Sequence, residues 1–426
     1  MSIIDPATKT PNLMPAPIPP ADAAPGQAGR VKLAFLDGLR GLAALYVLLY
    51  HLTDTRHLPP AVAHGLSFLR FGHYAVAVFI VLSGYCLMLP VARSVDGRLR
   101  GGAWNYLKRR AIRILPPYYA ALAFSLALVV LSHRATHSLG IVTDDSAYRL
   151  AMTPGSILSH LLLLHNWNKA WIETIDGPMW SVAIEWQIYF LFPLLLLPLW
   201  RRFGSLAAVA VGLLIGILPF VLLPPGRNFD WSCPWYTGLF AMGMAGASVG
   251  FSRDPRLVRL NARLPWGGLA VTALGLFLFL SLFVAKGTYR LGILALPQHW
   301  WVDALVGAGT ACTLVFCARS AHEVASGSDA RPPLILRIFE SRFAIWVGSF
   351  SYSLYLVHLP LIVKMESLVR RHFSPTKGFV VMLLIGIPIS LAASYLFHLI
   401  FERPFMPEQR SKREVRKLAP VAAPSN

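Results

Sequence analysis

Negative charge is scarce in this chain of 426 residues, and charge of either sign is sparse. Asp and Glu number 20 against 39 Lys and Arg, and charged residues make up 14% of the sequence, compared with roughly 25% in a typical soluble domain. Hydrophobic residues reach 55%, and the mean hydropathy is +0.55. These values exclude an ordinary soluble domain and predict an all-α, polytopic integral membrane protein.

Cysteine is also rare, and its pattern argues against two kinds of structure. The four cysteines, Cys86, Cys233, Cys312 and Cys317, show no CxxC spacing, so we expect neither a disulfide framework nor a metal site. The first 30 residues are rich in Pro and Ala and lack a long apolar core. We therefore predict a disordered cytoplasmic leader at 1–30, a transmembrane domain at 31–405 and a basic cytoplasmic tail at 406–426.

Long apolar runs are what the chain does have. We predict ten membrane spans, at 34–53, 72–91, 113–132, 179–200, 203–223, 232–251, 265–285, 299–318, 343–363 and 377–401. With a cytoplasmic N-terminus, most Lys and Arg fall in loops on the cytoplasmic side, which is the usual orientation signal. Both termini are then cytoplasmic, and insertion into a lipid bilayer explains the +19 net charge without a nucleic-acid partner.

One apolar segment, at 156–166, is too short to cross a bilayer. We expect it to be an interfacial or re-entrant piece within a long external connection, residues 133–178. The polar and aromatic residues of this connection, including His165 and Trp167, fit a lid or acceptor platform. They fit an interfacial aromatic belt equally well, and the sequence leaves both interpretations open.

Two ionisable residues mark the ends of the first predicted span. Arg40 and His51 are eleven positions apart, so about 16 Å separates them along a helix. An ionisable side chain costs about 2.5–3.5 kcal/mol at mid-bilayer and usually has a function. Arg40 should therefore lie near the inner face and His51 deep toward the outer face, where one long ligand would touch both.

The fourth predicted span adds a carboxylate at a defined depth. Trp180 enters from outside, Glu185 follows about 7–8 Å further in, and Tyr189 lies one turn below on the same face. We therefore expect Glu185 near the depth of His51. His358 falls toward the outer end of the ninth span, so titratable groups should gather in the outer half of the membrane.

The inner half should hold the cations Arg40, Arg110 and Arg113. Guanidinium groups bind phosphates through bidentate hydrogen bonds, which suits a phosphate-bearing donor entering from the cytoplasm. Arg110 and Arg113 also fit simple positive-inside anchors. His51 is the candidate general base, because imidazole titrates near neutrality and can deprotonate an acceptor hydroxyl, and Asp54 could orient it. A buried histidine that only hydrogen-bonds between helices is the open structural alternative.

Six segments, in one order, resemble the acyltransferase 3 family of membrane-bound O-acyltransferases, from about Val31 to Phe405. They are LDGLRGLAALYVLLYH with Arg40 and His51, FIVLSGY with Ser83 and Gly84, RRAIRILPPYY with Arg110 and Arg113, WSVAIEWQIYFLFP with Trp180, Glu185 and Tyr189, SYSLYLVHLPL with His358, and FERPF with Glu402. Two departures are that SGY stands where SGF is common, and EWQIY where EEQFY is common. The second departure leaves Glu185 as the sole acid in its segment.

The resemblance implies acyl-CoA, usually acetyl-CoA, as donor and a hydroxyl of a cell-surface or secreted glycan or glycolipid as acceptor, such as lipopolysaccharide or exopolysaccharide. It implies that Arg40 and His51 are tied to activity and that Arg110 and Arg113 are on the donor side. We place Ser83 with the donor-binding residues and Glu185 with the catalytic ones.

Trp180, Tyr189 and His358 are our candidate acceptor-binding residues. Many relatives carry an appended extracytoplasmic hydrolase-like domain, and this chain ends in a short basic tail instead, so we expect transfer within the membrane domain or with a separate partner.

Two other classes of protein also fit a bundle of this kind. A secondary transporter or acyl-group translocator would bury similar residues, but the sequence shows no pair of Gly/Pro-broken helices in two related halves. A non-enzymatic scaffold stays open on fold grounds alone.

Overall fold

Helices make up the regular secondary structure of the residues that this computed structural model describes, which are 33–53, 60–138, 150–223, 229–284, 300–327 and 331–406. After α1 (Ala34–Thr53) and a short helix (Pro60–Gly65) come α2 (Ser67–Arg93), α3 (Gly102–Ser138), α4 (Pro154–Leu161), α5 (Met179–Phe203), α6 (Ser205–Leu222), α7 (Tyr236–Phe251), α8 (Pro255–Arg263), α9 (Trp266–Leu282), α10 (Trp300–Ala325), α11 (Leu334–Phe339), α12 (Arg342–Ser349), α13 (Ser351–Val369) and α14 (Pro375–Phe405). The predicted all-α class is confirmed.

Eight of the described helices are long and apolar enough to cross a membrane, or nine if α8 and α9, which meet at 69°, form one broken span. The chain is therefore a multi-pass membrane protein. A helix occurs within each of the ten predicted spans, but α7 has only 16 residues, about 24 Å against a hydrocarbon core of about 30 Å. Ten crossings and cytoplasmic termini stay predictions. Asp54, the leader and the tail beyond Met406 all lie outside the described residues.

The short apolar segment before α5 does not span, as predicted. It forms α4, of 8 residues, and a turn at His165–Trp167. Gln187 of α5 donates to the Leu163 carbonyl at 3.0 Å and to the Asn166 side-chain oxygen at 2.8 Å. These hydrogen bonds attach the segment to α5. Within the segment His165 and Asn166 are buried, whereas Trp167 is exposed.

Glycine lets α1 and α12 meet backbone to backbone. A Cβ on Gly41 would overlap the Ala344 carbonyl, and a Cβ on Gly348 would overlap the Asp37 carbonyl. Only hydrogen at these positions permits such an approach. The contact fixes the first two turns of α1, and with them the position of Arg40.

A second glycine contact sets the crossing of α2 and α7. A Cβ on Gly84 would overlap the Phe240 carbonyl, and a Cβ on Gly243 would overlap the Val81 carbonyl. The SGY segment therefore has its glycine where α7 crosses closest. Ser83, beside it, lies on a different face of α2 and contacts α5, where its Oγ is 3.2 Å from the Tyr189 hydroxyl.

The predicted ninth span, 343–363, is wrong as a single helix. The chain breaks at Phe350, whose φ of −124° and ψ of 19° are not helical, and α12 and α13 are separate helices. The first N–H groups of a helix have no intrahelical partner, and here the Glu402 carboxylate caps α13. Glu402 accepts from the Ser353 hydroxyl at 2.6 Å and the Ser353 N–H at 3.3 Å, and lies 2.9 Å from Nδ1 of His398. A carboxylate also suits the positive end of a helix dipole.

Candidate functional site

A cavity of about 320 Å³ lies between α1, α2, α3, α5, α12, α13 and α14. It follows α2 from Val76 to Leu87, about 16 Å along the helix. Asp37 and Met406 lie at the end where α1 begins, and Tyr355 lies toward the other end. Six of the predicted site residues line it: Arg40, Ser83, Arg110, Arg113, Glu185 and Tyr189. The structure thus brings the three arginines together, as the depth argument predicted.

The arginines present guanidinium donors to this cavity. Arg40 donates to Asp37 Oδ1 at 3.3 Å and approaches Cys86 Sγ at 3.5 Å. Nε of Arg110 is buried, and no hydrogen-bond partner for it occurs among the described residues. Arg113 lies one turn further along α3 on the same cavity wall. A buried guanidinium N–H without a partner costs stability, so this wall is ready for an anionic ligand.

Glu185 lies with the arginines. Its carboxylate accepts the Tyr189 hydroxyl at 2.6 Å, and that hydroxyl lies 3.2 Å from Ser83 Oγ. Glu185 lines the cavity and His51 is not among the residues that do, while their common depth in the membrane stays a prediction. In this position a carboxylate orients Tyr189 and offsets part of the arginine charge when no anion is bound.

His51 and His358 form a pair beyond the Tyr355 end of the cavity. Their ring centroids are 5.2 Å apart, and the His358 ring lies 5.8 Å from the Tyr355 ring. His358 Nδ1 is 2.8 Å from the Tyr355 carbonyl, while its Nε2 is buried without a partner among the described residues. Tyr355, which lines the cavity, therefore connects the arginine-lined space to the two histidines.

Trp180 lies apart from the cavity, in a separate cluster. Its indole stacks on the His73 imidazole, with ring centroids 6.0 Å apart and planes at 13°. His73 Nε2 lies 3.3 Å from Asp303 Oδ2 and 3.2 Å from the Tyr236 hydroxyl. Sequence reasoning missed Asp303, although an acidic residue in the apolar segment WWVDALVGAG meets the criterion that singled out Arg40 and Glu185.

Side chains of the types that bind metals do not cluster in the described part of the chain. Within those residues no group of three or more His, Cys, Asp or Glu side chains could hold an ion. The described cysteines are free thiols, and Cys86 is the one that lines the arginine cavity.

Comparison with known protein families identifies the family of this chain. The model of the acyltransferase domain (Acyl_transf_3) matches residues 33–399, which is nearly the whole helical region. The chain therefore belongs to the acyltransferase 3 family.

Curated relatives of this chain are named as O-acetyltransferases or putative O-acetyltransferases. The chain is 23% identical to the peptidoglycan O-acetyltransferase OatA of Listeria monocytogenes, over 77% of this chain and 49% of the relative. It is 26% identical to the putative peptidoglycan O-acetyltransferase YrhL of Bacillus subtilis, over 85% of this chain and 53% of the relative. A putative O-acetyltransferase of Staphylococcus aureus is 24% identical over 88% and 57%. The chain thus spans about half the length of the curated relatives it matches, and no solved structure matches it.

Proposed function

We propose that the chain is a membrane O-acyltransferase of the bacterial inner membrane that moves an acetyl group from acyl-CoA to a hydroxyl of an envelope glycan. One observation carries this proposal: Arg40, Arg110 and Arg113 line one cavity whose far end, at Tyr355, meets His358 and His51. The names of the relatives support acetyl as the group and an envelope polysaccharide as the acceptor. Peptidoglycan, lipopolysaccharide and exopolysaccharide all supply suitable hydroxyls.

The donor enters this cavity from the arginine end. The phosphates of CoA bind the three guanidinium groups, which keep their charge in a semi-buried site. The pantetheine arm then follows α2 toward Val76, and the thioester lies near Tyr355. Binding along this length holds the thioester in place for a local reaction. Ser83 lies midway on the wall, where its hydroxyl can contact the arm.

His51 acts as general base in the transfer step. Its imidazole takes the proton of the acceptor hydroxyl while that oxygen bonds to the thioester carbonyl carbon. The carbon–sulfur bond then breaks, the acetyl group stays on the acceptor as an ester, and the imidazolium returns the proton to the CoA thiolate. His358 packs beside this base, with ring centroids 5.2 Å apart and planes tilted by 44°. A covalent acetyl-enzyme is the alternative route, and label retained on the protein after removal of acceptor would reveal it.

Cys86 offers a direct assay of donor binding. Its thiol lines the cavity beside Arg40, so bound acetyl-CoA should protect it from a maleimide. The assay uses a Cys312→Ser background, which removes the other partly exposed thiol. We expect Arg113→Gln to raise the acetyl-CoA concentration needed for half-protection about tenfold or more, as for the loss of a charge-assisted contact. Arg256→Gln, on exposed α8, should change nothing; equal protection in both variants would remove the arginines from donor binding.

Transfer itself is tested with labelled acetyl-CoA and membranes that contain the chain. The wild type should label the carbohydrate fraction, and His51→Ala should abolish the label while leaving Cys86 protection intact. His322→Ala, a matched change at the far end of α10, should retain activity. Uptake of acetyl-CoA without covalent labelling would instead support a transporter, and full labelling by His51→Ala would remove His51 from the mechanism.

A further inference from the structure

A polar cluster outside the arginine cavity lies where α2, α5, α7 and α10 begin. It consists of His73, Trp180, Tyr236 and Asp303, and we call it the His73 cluster. None of these residues has a role in the donor-binding and transfer steps described above, although Trp180 is one of the acceptor-binding residues predicted from the sequence. The four helices begin at the same end of the bundle, so residues in their first two turns meet around one imidazole.

The surroundings of Asp303 lower the stability of the fold. It is fully buried, and its Oδ2 accepts the Trp235 indole N–H at 2.7 Å and faces His73 at 3.3 Å. Its Oδ1 is also buried, and no partner for it occurs among the described residues. A buried carboxylate with one bare oxygen is destabilising, and an ionisable residue kept in an apolar helix is a candidate for function.

His73 reaches from this sealed carboxylate toward the protein surface. Its side chain is 35% exposed while that of Asp303 is 0% exposed. The imidazole is fixed at one nitrogen by Asp303 and Tyr236 and covered on one face by the indole of Trp180. Such an arrangement sets the orientation of the ring and keeps it accessible.

The chemistry of the cluster selects its ligand. Trp180 and His73 are partly exposed rings beside a carboxylate and a hydroxyl, and flat apolar faces together with polar groups suit a neutral polar ring. Sugars present C–H groups on one face and hydroxyls at the rim. The cluster contains a carboxylate and no Lys or Arg, which disfavours a phosphate or another anion.

The His73 cluster also adjoins the proposed catalytic histidine. The Tyr50 ring packs against Gly72, where an added Cβ would overlap it, and the same ring lies 4.9 Å from the His51 ring. One aromatic side chain therefore separates the backbone beside His73 from His51.

We propose that the His73 cluster is the subsite for the acceptor sugar, an inference that rests on the proposed function. Trp180 and His73 contact the sugar, and Asp303 and Tyr236 are positioning residues that hold the imidazole. The acceptor then approaches His51 from the opposite side to the donor, so that the two substrates occupy separate sites.

The test separates acceptor from donor. Purified protein in lipid nanodiscs receives labelled acetyl-CoA and increasing amounts of the envelope glycan fraction from a strain that lacks the gene. We expect Trp180→Ala and His73→Gln to raise the apparent KM for this fraction about tenfold or more, the scale of one lost contact, with the KM for acetyl-CoA unchanged. Asp303→Asn, which keeps the size and the Trp235 contact, should behave like His73→Gln. Arg113→Gln should show the reverse pattern, and His322→Gln should resemble the wild type.

The outcomes of this experiment distinguish failure of the subsite from failure of the proposed function. Unchanged KM values for the glycan in Trp180→Ala and His73→Gln would overturn the subsite while leaving the proposed function intact. An equal loss of glycan transfer and of Cys86 protection by acetyl-CoA would show that the cluster is structural only. If the wild type transfers no label to the glycan although acetyl-CoA protects Cys86, the proposed function itself fails, and the subsite fails with it.

Discussion

Removing the Glu402 carboxylate should destabilise the bundle at the break between α12 and α13. Glu402 is 4% exposed and accepts two hydrogen bonds from Ser353, with His398 Nδ1 at 2.9 Å. A hydrogen bond to a charged group contributes about 1.5–3 kcal/mol, and breaking a buried ionic contact costs about 3–5 kcal/mol. We therefore expect Glu402→Ala to lower the free energy of unfolding by about 3–5 kcal/mol, and Glu402→Gln, which still accepts from Ser353, by about 1–2 kcal/mol.

A double-mutant cycle tests whether the cap is the cause. Glu402→Ala, Ser353→Ala and the double variant are compared by reversible unfolding in mixed detergent micelles. If the contact operates as described, the pair should show a coupling energy of about 1 kcal/mol or more. Additive effects, with coupling below about 0.5 kcal/mol, would refute the cap. Glu323→Ala, which removes an exposed ion pair with Arg319, is the control and should change stability by less than about 1 kcal/mol.

Three further predictions concern packing, protonation and the cavity wall. Gly243→Ala should separate α2 from α7 and lower the midpoint of thermal unfolding, whereas Gly275→Ala, where an added Cβ meets nothing within 4 Å, should not; equal midpoints would contradict the close crossing. Burial raises the pKa of Asp176, outside the spanning helices, to about 8 despite the Ser125 hydroxyl. The folded state therefore keeps a proton that the unfolded chain loses near pH 4, so wild-type stability should fall from pH 5 to pH 8 relative to Asp176→Asn, and parallel pH profiles of unfolding would contradict this. Tyr189→Phe should raise the KM for acetyl-CoA by freeing the Glu185 carboxylate to pair with the arginines, and an unchanged KM would contradict that pairing.

Much of the bundle could be predicted because long apolar runs and helix spacing are local signals. The predicted first span, 34–53, coincides with α1. The start of α3 was missed: the helix begins at Gly102 and continues through Pro116 and Pro117. A proline usually interrupts a helix. The polar turns of α3 that precede Pro116 also carry no membrane signal.

The break at Phe350 had no signal in its own segment. Phe is compatible with a helix, and the residue that makes the break tolerable, Glu402, lies 49 positions from its partner Ser353. That Arg40, Arg110 and Arg113 lie together could be predicted from depth alone, because each lies near the cytoplasmic end of its predicted span. That Glu185 lines the cavity and His51 does not could not be predicted from depth, because depth does not say which faces of two helices meet.

The seam between α1 and α12 lies at the arginine end of the cavity, away from the space proposed for the acetyl group near Tyr355. Changes at the seam should therefore leave the length of the transferred acyl group unaffected. Room for a longer acyl chain must come from Phe79, Ile80 and Val182, which line the cavity near Tyr355. Trimming those three positions is therefore the route by which a variant with altered donor length could be made.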